Sequence, residues 1–198
     1  MHSPKNMKLR VMLIDDNRGR AALLQQALRD ANYEVVAVLH DDADIIKRVQ
    51  ETPVDVILID LESPDRDILE YLSTLNRESP KPIVMFAEND DSTIIQAAIK
   101  AGVSAYVVDG LSYKRLKPIM KVAIARFREY QAMRAELDKT RNQLAERKVI
   151  ERAKGILMKQ KGMDEASAYH ALRKMAMDRN LRLVEVAESV ITVTQLLE

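Results

Sequence analysis

Short β-branched runs alternate with segments of helical spacing through the first half of the chain, and that alternation restricts the fold more than any other feature. The runs lie at Leu9–Ile14, Tyr33–Val38, Val54–Ile59, Pro82–Phe86 and Ala105–Val108. They are apolar nearly throughout instead of strictly alternating, as in strands covered on both faces. Between them, Arg20–Ala31, Ala43–Glu51, Asp67–Arg77 and Ser92–Ala101 have helical periodicity. In the first of these, Leu23 and Ala27, flanked by Leu24 and Leu28, form the expected inward face. Asp91 or Ser92 suits a helix N-cap, and Gly102 suits the residue just past a helix end. The pattern predicts an α/β fold: a doubly wound, five-stranded parallel sheet with helices on both faces.

Beyond about Tyr113 no strand signal returns. From Tyr113 to Lys161 the only glycine is Gly155 and the only proline Pro118, near the start, while Ala, Arg, Glu, Lys, Leu and Gln dominate. One long helix is expected. Tyr130, Leu137 and Leu144 recur every seven residues, a thin seam consistent with a solvated helical linker or with a dimer-forming coil. Lys161-Gly162-Met163-Asp164 breaks the helix, with Gly162 closing it and Asp164 capping the next. A second helix carries Ala166, Leu172 and Ala176 and ends at Asn180. A third, Leu183–Leu197, has an apolar stripe of Leu183, Val186, Val190, Val193 and Leu197, with Ala187 and Ile191 on its flank. Three such helices can share one small core. The expected organisation is a sheet domain over 1–125, a helical linker over 126–146 and a three-helix all-α domain over 147–198.

Composition narrows the function. There is no cysteine, which excludes disulfides, thiol catalysis and cysteine-held metals. No apolar run approaches the length of a membrane span, and the opening Met-His-Ser-Pro-Lys-Asn has no apolar core behind it. A cytoplasmic protein is expected, with no membrane partner. No Ser/His/Asp set, phosphate-cradling glycine loop or metal-ligand histidine spacing is present, so the chain is not expected to be an enzyme, and no catalytic residue is assigned. The formal net charge is only +1, but it is unevenly spread. Residues 7–110 carry an acidic excess, whereas residues 152–182 hold eight Lys/Arg against three Asp/Glu. That asymmetry points to a polyanion at the basic end.

Two clusters carry the chemistry. In a doubly wound sheet, ligands bind at the carboxyl ends of the strands. Asp15 and Asp16 follow the first strand, and Asp60 follows the third. Aspartate at a strand end also serves as a turn or cap residue. Three carboxylates gathered together, however, repel one another, and a hard divalent cation such as Mg²⁺ relieves that repulsion. One carboxylate can then attack a phosphoryl donor. In the tail, Arg152, Lys154, Lys159, Lys161, His170, Arg173, Lys174 and Arg179 form a basic group able to neutralise phosphates, or to be a solvated face. Arginine can also stack on unpaired bases. Gly155 inside a helix costs about 1 kcal/mol relative to alanine, which suggests close approach of another helix or of a ligand backbone.

Ile14-Asp15-Asp16-Asn17, Ile57-Leu58-Ile59-Asp60-Leu61 and Ala101-Gly102-Val103-Ser104-Ala105-Tyr106 resemble the response-regulator receiver family over about residues 7–126. The resemblance implies a flavodoxin-like receiver in which Asp60 is the phosphoacceptor. It further implies that Asp15, Asp16, Asp60 and the backbone carbonyl of Glu62 hold Mg²⁺. Two positions depart from the family. Ala87 stands where a Ser or Thr hydroxyl usually meets the phosphoryl group, and Asp109-Gly110 stand where Lys-Pro is usual. Lys114, Ser92 and Thr93 lie nearby in sequence. The departures raise control by a bound sensor protein beside control by a sensor kinase.

Ala153-Lys154-Gly155-Ile156-Leu157-Met158, Met163-Asp164-Glu165-Ala166-Ser167-Ala168-Tyr169, Leu172-Arg173-Lys174-Met175-Ala176-Met177 and Val186-Ala187-Glu188-Ser189-Val190-Ile191 resemble the ANTAR module of AmiR- and NasR-type antiterminators over about residues 142–196. That resemblance implies binding to hairpin loops in nascent mRNA leaders, which prevents a terminator from forming. The combination is similar to NasT-type regulators of nitrate and nitrite assimilation, active as homodimers. A DNA-binding response regulator and a protein-binding signalling adaptor are the alternative expectations.

Overall fold

The computed structural model of the chain describes residues 8–40, 45–108 and 113–197. Five strands, β1 (Arg10–Asp15), β2 (Glu34–Leu39), β3 (Val56–Leu61), β4 (Ile83–Ala87) and β5 (Ala105–Val107), form one parallel sheet in the order β2-β1-β3-β4-β5. Helices α1 (Arg18–Asp30), α2 (Ile45–Glu51), α3 (Arg66–Glu78) and α4 (Ser92–Lys100) connect them, and α5 (Tyr113–Lys161), α6 (Glu165–Arg179) and α7 (Leu183–Leu197) follow.

Alternate residues of β1, β3, β4 and β5 feed opposite layers. Met12, Ile14, Ile57, Ile59 and Met85 pack with α2, α3 and α4 through Ile45, Val49, Ile68, Leu72 and Ala98. Val11, Leu13, Leu58, Val84 and Phe86 pack with α1 and the start of α5 through Leu24, Leu28, Leu116, Met120 and Ala123. Burial on both faces accounts for the continuous apolar runs. Strand order reverses between β1 and β3, the crevice where such sheets bind ligands.

The helix signals follow local chemistry. Asn17 caps α1 by accepting from the N–H groups of Gly19 (2.9 Å) and Arg20 (3.1 Å). Asp65, Asp91 and Asp164 cap α3, α4 and α6. Gly102 (φ 103°), Gly162 (φ 64°) and Asn180 (φ 51°) take left-handed conformations at helix ends, where orphan carbonyls are satisfied.

Four details differ from the sequence expectation. The strands run later than predicted at β1 and β3, so Asp15 and Asp60 lie within them. In α1 the inward face is Ala21, Leu24 and Leu28, and Leu23 is 60 % exposed. Both leucine phases fit the periodicity, and packing against the sheet selects Leu24. In α7, Val193 faces outward, and Val184 and Thr194 are buried instead. A Cβ on Gly155 would meet nothing within 4 Å, so no helix among the described residues accounts for that glycine. The expected helix over residues 43–51 begins partly outside the described residues.

Contacts divide the chain into two compact units, Met1–Gln131 and Ala132–Glu198. The second has its own core of Ala153, Leu172, Ala176, Val186 and Ala187, lined by Val149, Leu157, Leu183 and Val190. Among the described residues no helix is long and apolar enough to cross a membrane.

Candidate functional site

Parallel pairing of β1 with β3 places Asp15 and Asp60 side by side in register at the carboxyl edge of the sheet. Asp15 is fully buried and Asp60 is 5 % exposed, while half of the Asp16 side chain reaches solvent. One oxygen of Asp15 accepts from the Asn17 N–H (2.9 Å). Arg20, in the first turn of α1, enters this group, and nothing in the sequence expectation assigned it a role. Its Nε lies 3.2 Å from Asp15 Oδ1 and 3.1 Å from Asp60 Oδ2, and its Nη2 lies 2.8 Å from Asp16 Oδ1. Nη2 also donates to the Asp60 carbonyl at 3.4 Å. Asp16 precedes the N-cap of α1, so no helical spacing rule marks its pairing with Arg20 in the sequence, and the fold brings the two together.

One guanidinium does not satisfy the cluster. Asp15 Oδ2 and Asp60 Oδ2 are buried without a hydrogen-bond partner among the described residues, the latter being within ion-pair range of Arg20 but not aligned for a bond. Burial pushes the Asp60 carboxyl up to about 6. Arg20 opposes that shift, and Asp15, Asp16 and Glu88 reinforce it. Burial raises Asp15 as well, against the Asn17 N–H and Arg20.

The surroundings are polar on one side. His40 Nδ1 donates to the Asp15 carbonyl (2.9 Å). His40, Asp16, Ser63 and Asp65 line a cleft of about 230 Å³ beside the carboxylates. A larger cleft of about 530 Å³, lined by Asn76, Gly102, Ser104 and Tyr130, lies at the other end of the sheet, before β5, away from this chemistry. The carbonyl of Glu62 accepts from the Glu88 N–H (3.1 Å), which leaves it one lone pair. Ala87 ends β4, buried, with no hydroxyl to offer. The Thr93 hydroxyl is committed to Asp91 (2.6 Å), Ser92 and Lys114 are exposed, and Asp109 and Gly110 lie outside the described residues. The Tyr106 hydroxyl donates to the Asn89 carbonyl (2.9 Å). Among the described residues no set of three acidic or histidine side chains is arranged to enclose a metal ion, and Arg20 stands between the three carboxylates.

In the second unit, Arg152, Lys159, Lys161, His170, Arg173, Lys174 and Arg179 are all exposed. Lys154 is not. It is 6 % exposed, with Nζ 2.8 Å from Glu151 and 2.7 Å from Glu165, and these hydrogen bonds raise its pKa. Glu151 one turn earlier on α5 and Glu165 opening α6 take this lysine out of the accessible basic set. Arg182 is paired with Glu146. Tyr169 is 39 % exposed and meets His170 edge to face at 6.3 Å.

Known proteins divide at the same two clusters. Residues 11–121 match the response regulator receiver domain, and residues 138–191 match the ANTAR domain. The transcriptional regulatory protein PdtaR of Mycobacterium tuberculosis is 31 % identical over 182 residues, covering 92 % of this chain and 89 % of that protein. The nitrate regulatory protein of Klebsiella oxytoca is 40 % identical over 88 residues, 44 % of this chain and 22 % of that one. A CheY-like receiver domain protein of Methanospirillum hungatei superposes with a TM-score of 0.55 at 18 % identity, over 63 % of this chain and 99 % of that one, a likeness of fold. With a parallel sheet and paired aspartates in its first unit and three packed helices in its second, this chain belongs to the response regulators that join a receiver domain to a C-terminal ANTAR domain.

Proposed function

We propose that the chain is a transcription antiterminator whose ANTAR domain binds hairpin loops of a nascent mRNA leader under control of its receiver domain. The observation that carries this is the set of exposed, unburied cations along the end of α5 and on α6: Arg152, Lys159, Lys161, Arg173, Lys174 and Arg179, with His170 beside them. Phosphate backbones are bound by such groups, and the half-exposed Tyr169 offers a face for an unpaired base. The receiver is taken as residues 1–125, the linker as 126–146 and the RNA-binding domain as 147–198. Tyr130, Met133, Leu137 and Leu144 are exposed along α5, and their spacing supports pairing of two copies when the protein is active. The name of the Klebsiella relative supports a target in nitrate or nitrite assimilation.

At the receiver, the buried oxygens of Asp15 and Asp60 that lack donors suit a hard divalent cation, and an all-oxygen ligand set suits Mg²⁺. Asp15, Asp16, Asp60 and the Glu62 carbonyl would hold it. Bound there, the ion would screen the negative charges that meet during phosphoryl transfer. Asp60 would form the new O–P bond as the donor's bond to phosphorus breaks. Ala87 provides no hydroxyl to follow the phosphoryl group, which favours a sensor protein acting on the receiver together with, or in place of, a sensor kinase.

Filter binding with a two-hairpin leader RNA tests the first part. Wild-type protein should retain the RNA against excess duplex DNA, and Arg173→Ala/Lys174→Ala, still folded by circular dichroism, should lose it. Preference for duplex DNA, or indifference to both, would overturn it. Intact-mass measurement after incubation with acetyl phosphate tests the second. A Mg²⁺-dependent phosphoryl adduct is expected on wild type and not on Asp60→Asn.

A further inference from the structure

The geometry points to Arg20 as a tethered cation that takes the place of the divalent ion in the acidic pocket, so that Mg²⁺ binds only by displacing it; this rests on the pocket being a divalent site as set out above. Three observations converge. Among the described residues Arg20 is the sole cation in ion-pair contact with Asp15, Asp16 or Asp60, and it touches all three. Its Nε sits against Oδ1 of Asp15 and Oδ2 of Asp60, the second being one of the two buried oxygens without a hydrogen-bond donor that a metal would need. Arginine stays charged at any working pH, so the pocket holds a permanent positive charge supplied by the chain itself.

The helix does not account for this placement. The start of a helix carries partial positive charge and disfavours cations, yet the first turn of α1 contains Arg18 and Arg20 and no acidic residue. The carboxylates hold Arg20 there. The guanidinium also has an exit, since its side chain is 29 % exposed and Asp16, half in solvent, lies on the outward path. A Mg²⁺ ion approaches its oxygens to about 2.0–2.1 Å, and with Arg20 in place two like charges would share one low-dielectric site. Arg20 therefore sets a threshold for divalent binding, and the pocket keeps one compensating positive charge when no metal is present.

Calorimetric titration of MgCl₂ into the full-length wild type, Arg20→Gln and Arg20→Gln/Asp60→Asn tests this, alongside thermal melts with and without Mg²⁺. Arg20→Gln should bind Mg²⁺ about tenfold more tightly than wild type, or tighter still, and its melting temperature should respond more strongly to Mg²⁺. The double variant should lose that gain. Equal or weaker binding by Arg20→Gln, with wild type binding measurably, would overturn the role of Arg20 while leaving the divalent site standing. No binding by either protein would overturn both. If Arg20→Gln does not fold without metal, Mg²⁺ at matched ionic strength should restore its circular dichroism. A chain that stays unfolded at saturating Mg²⁺ counts against the displacement.

Discussion

Asp60 is held at a cost that protonation relieves. Its folded pKa of about 6 lies above the ordinary 3.8, so the native state binds its proton more strongly than the unfolded state does. Stability therefore rises as pH falls from about 6 towards 3.8, and the penalty is complete above 6. In divalent-free buffer at neutral pH, Asp60→Asn should be more stable than wild type by roughly 1–3 kcal/mol. The difference should shrink in urea melts as pH drops through 6. Equal stability at all pH values would mean that Arg20 fully compensates the carboxylate. Asp55 has the opposite sign. Arg10 grips it with two side-chain hydrogen bonds (3.0 and 2.8 Å) and holds it at about 2, so its stabilisation is present above 3.8 and is lost towards 2. The acidic residues of the pocket were legible in the sequence because strand ends mark them. Arg20 was not, because inside an amphipathic segment an arginine looks like a solvated charge until the tertiary fold brings Asp60 beside it.

Element types and order were readable throughout, since buried parallel strands and capped helices leave signals in composition and in single residues such as Asp91, Gly102, Gly162 and Asp164. Helix phase was less so. Leu23 and Leu24 are adjacent and chemically alike, and only contact with β1 and its neighbours decides which is inside. Two of the helix-associated glycines make a paired test. Gly102 has φ 103°, and a Cβ there would lie 2.7 Å from the Asn76 Cβ, so Gly102→Ala should destabilise the receiver by about 1–3 kcal/mol. Gly155 is helical with open space around it, so Gly155→Ala should stabilise the second unit by roughly 0.5–1 kcal/mol. Differential scanning calorimetry reads both. If Gly155→Ala stabilises the protein and still weakens RNA retention, the missing side chain is making room for the nucleic acid.

For the molecule as a whole, the near-neutral total conceals an acidic receiver and a basic tail, and the affinity of the tail for RNA should fall steeply with salt. Lys159→Ala should weaken every RNA sequence alike and lower the slope of log affinity against log salt by about 0.7–1. A flat salt response would point to a protein partner instead. Charge counting along the sequence marked this tail but overcounted its accessible cations, since it could not see that Glu151 and Glu165 close over Lys154. That enclosure has a use in the test tube. An amine-acylating reagent should mark Lys159, Lys161 and Lys174 within the first exposure and spare Lys154 until α6 parts from α5. The lag in acylation at that single lysine, followed by peptide mass spectrometry, would clock how often the C-terminal helices breathe.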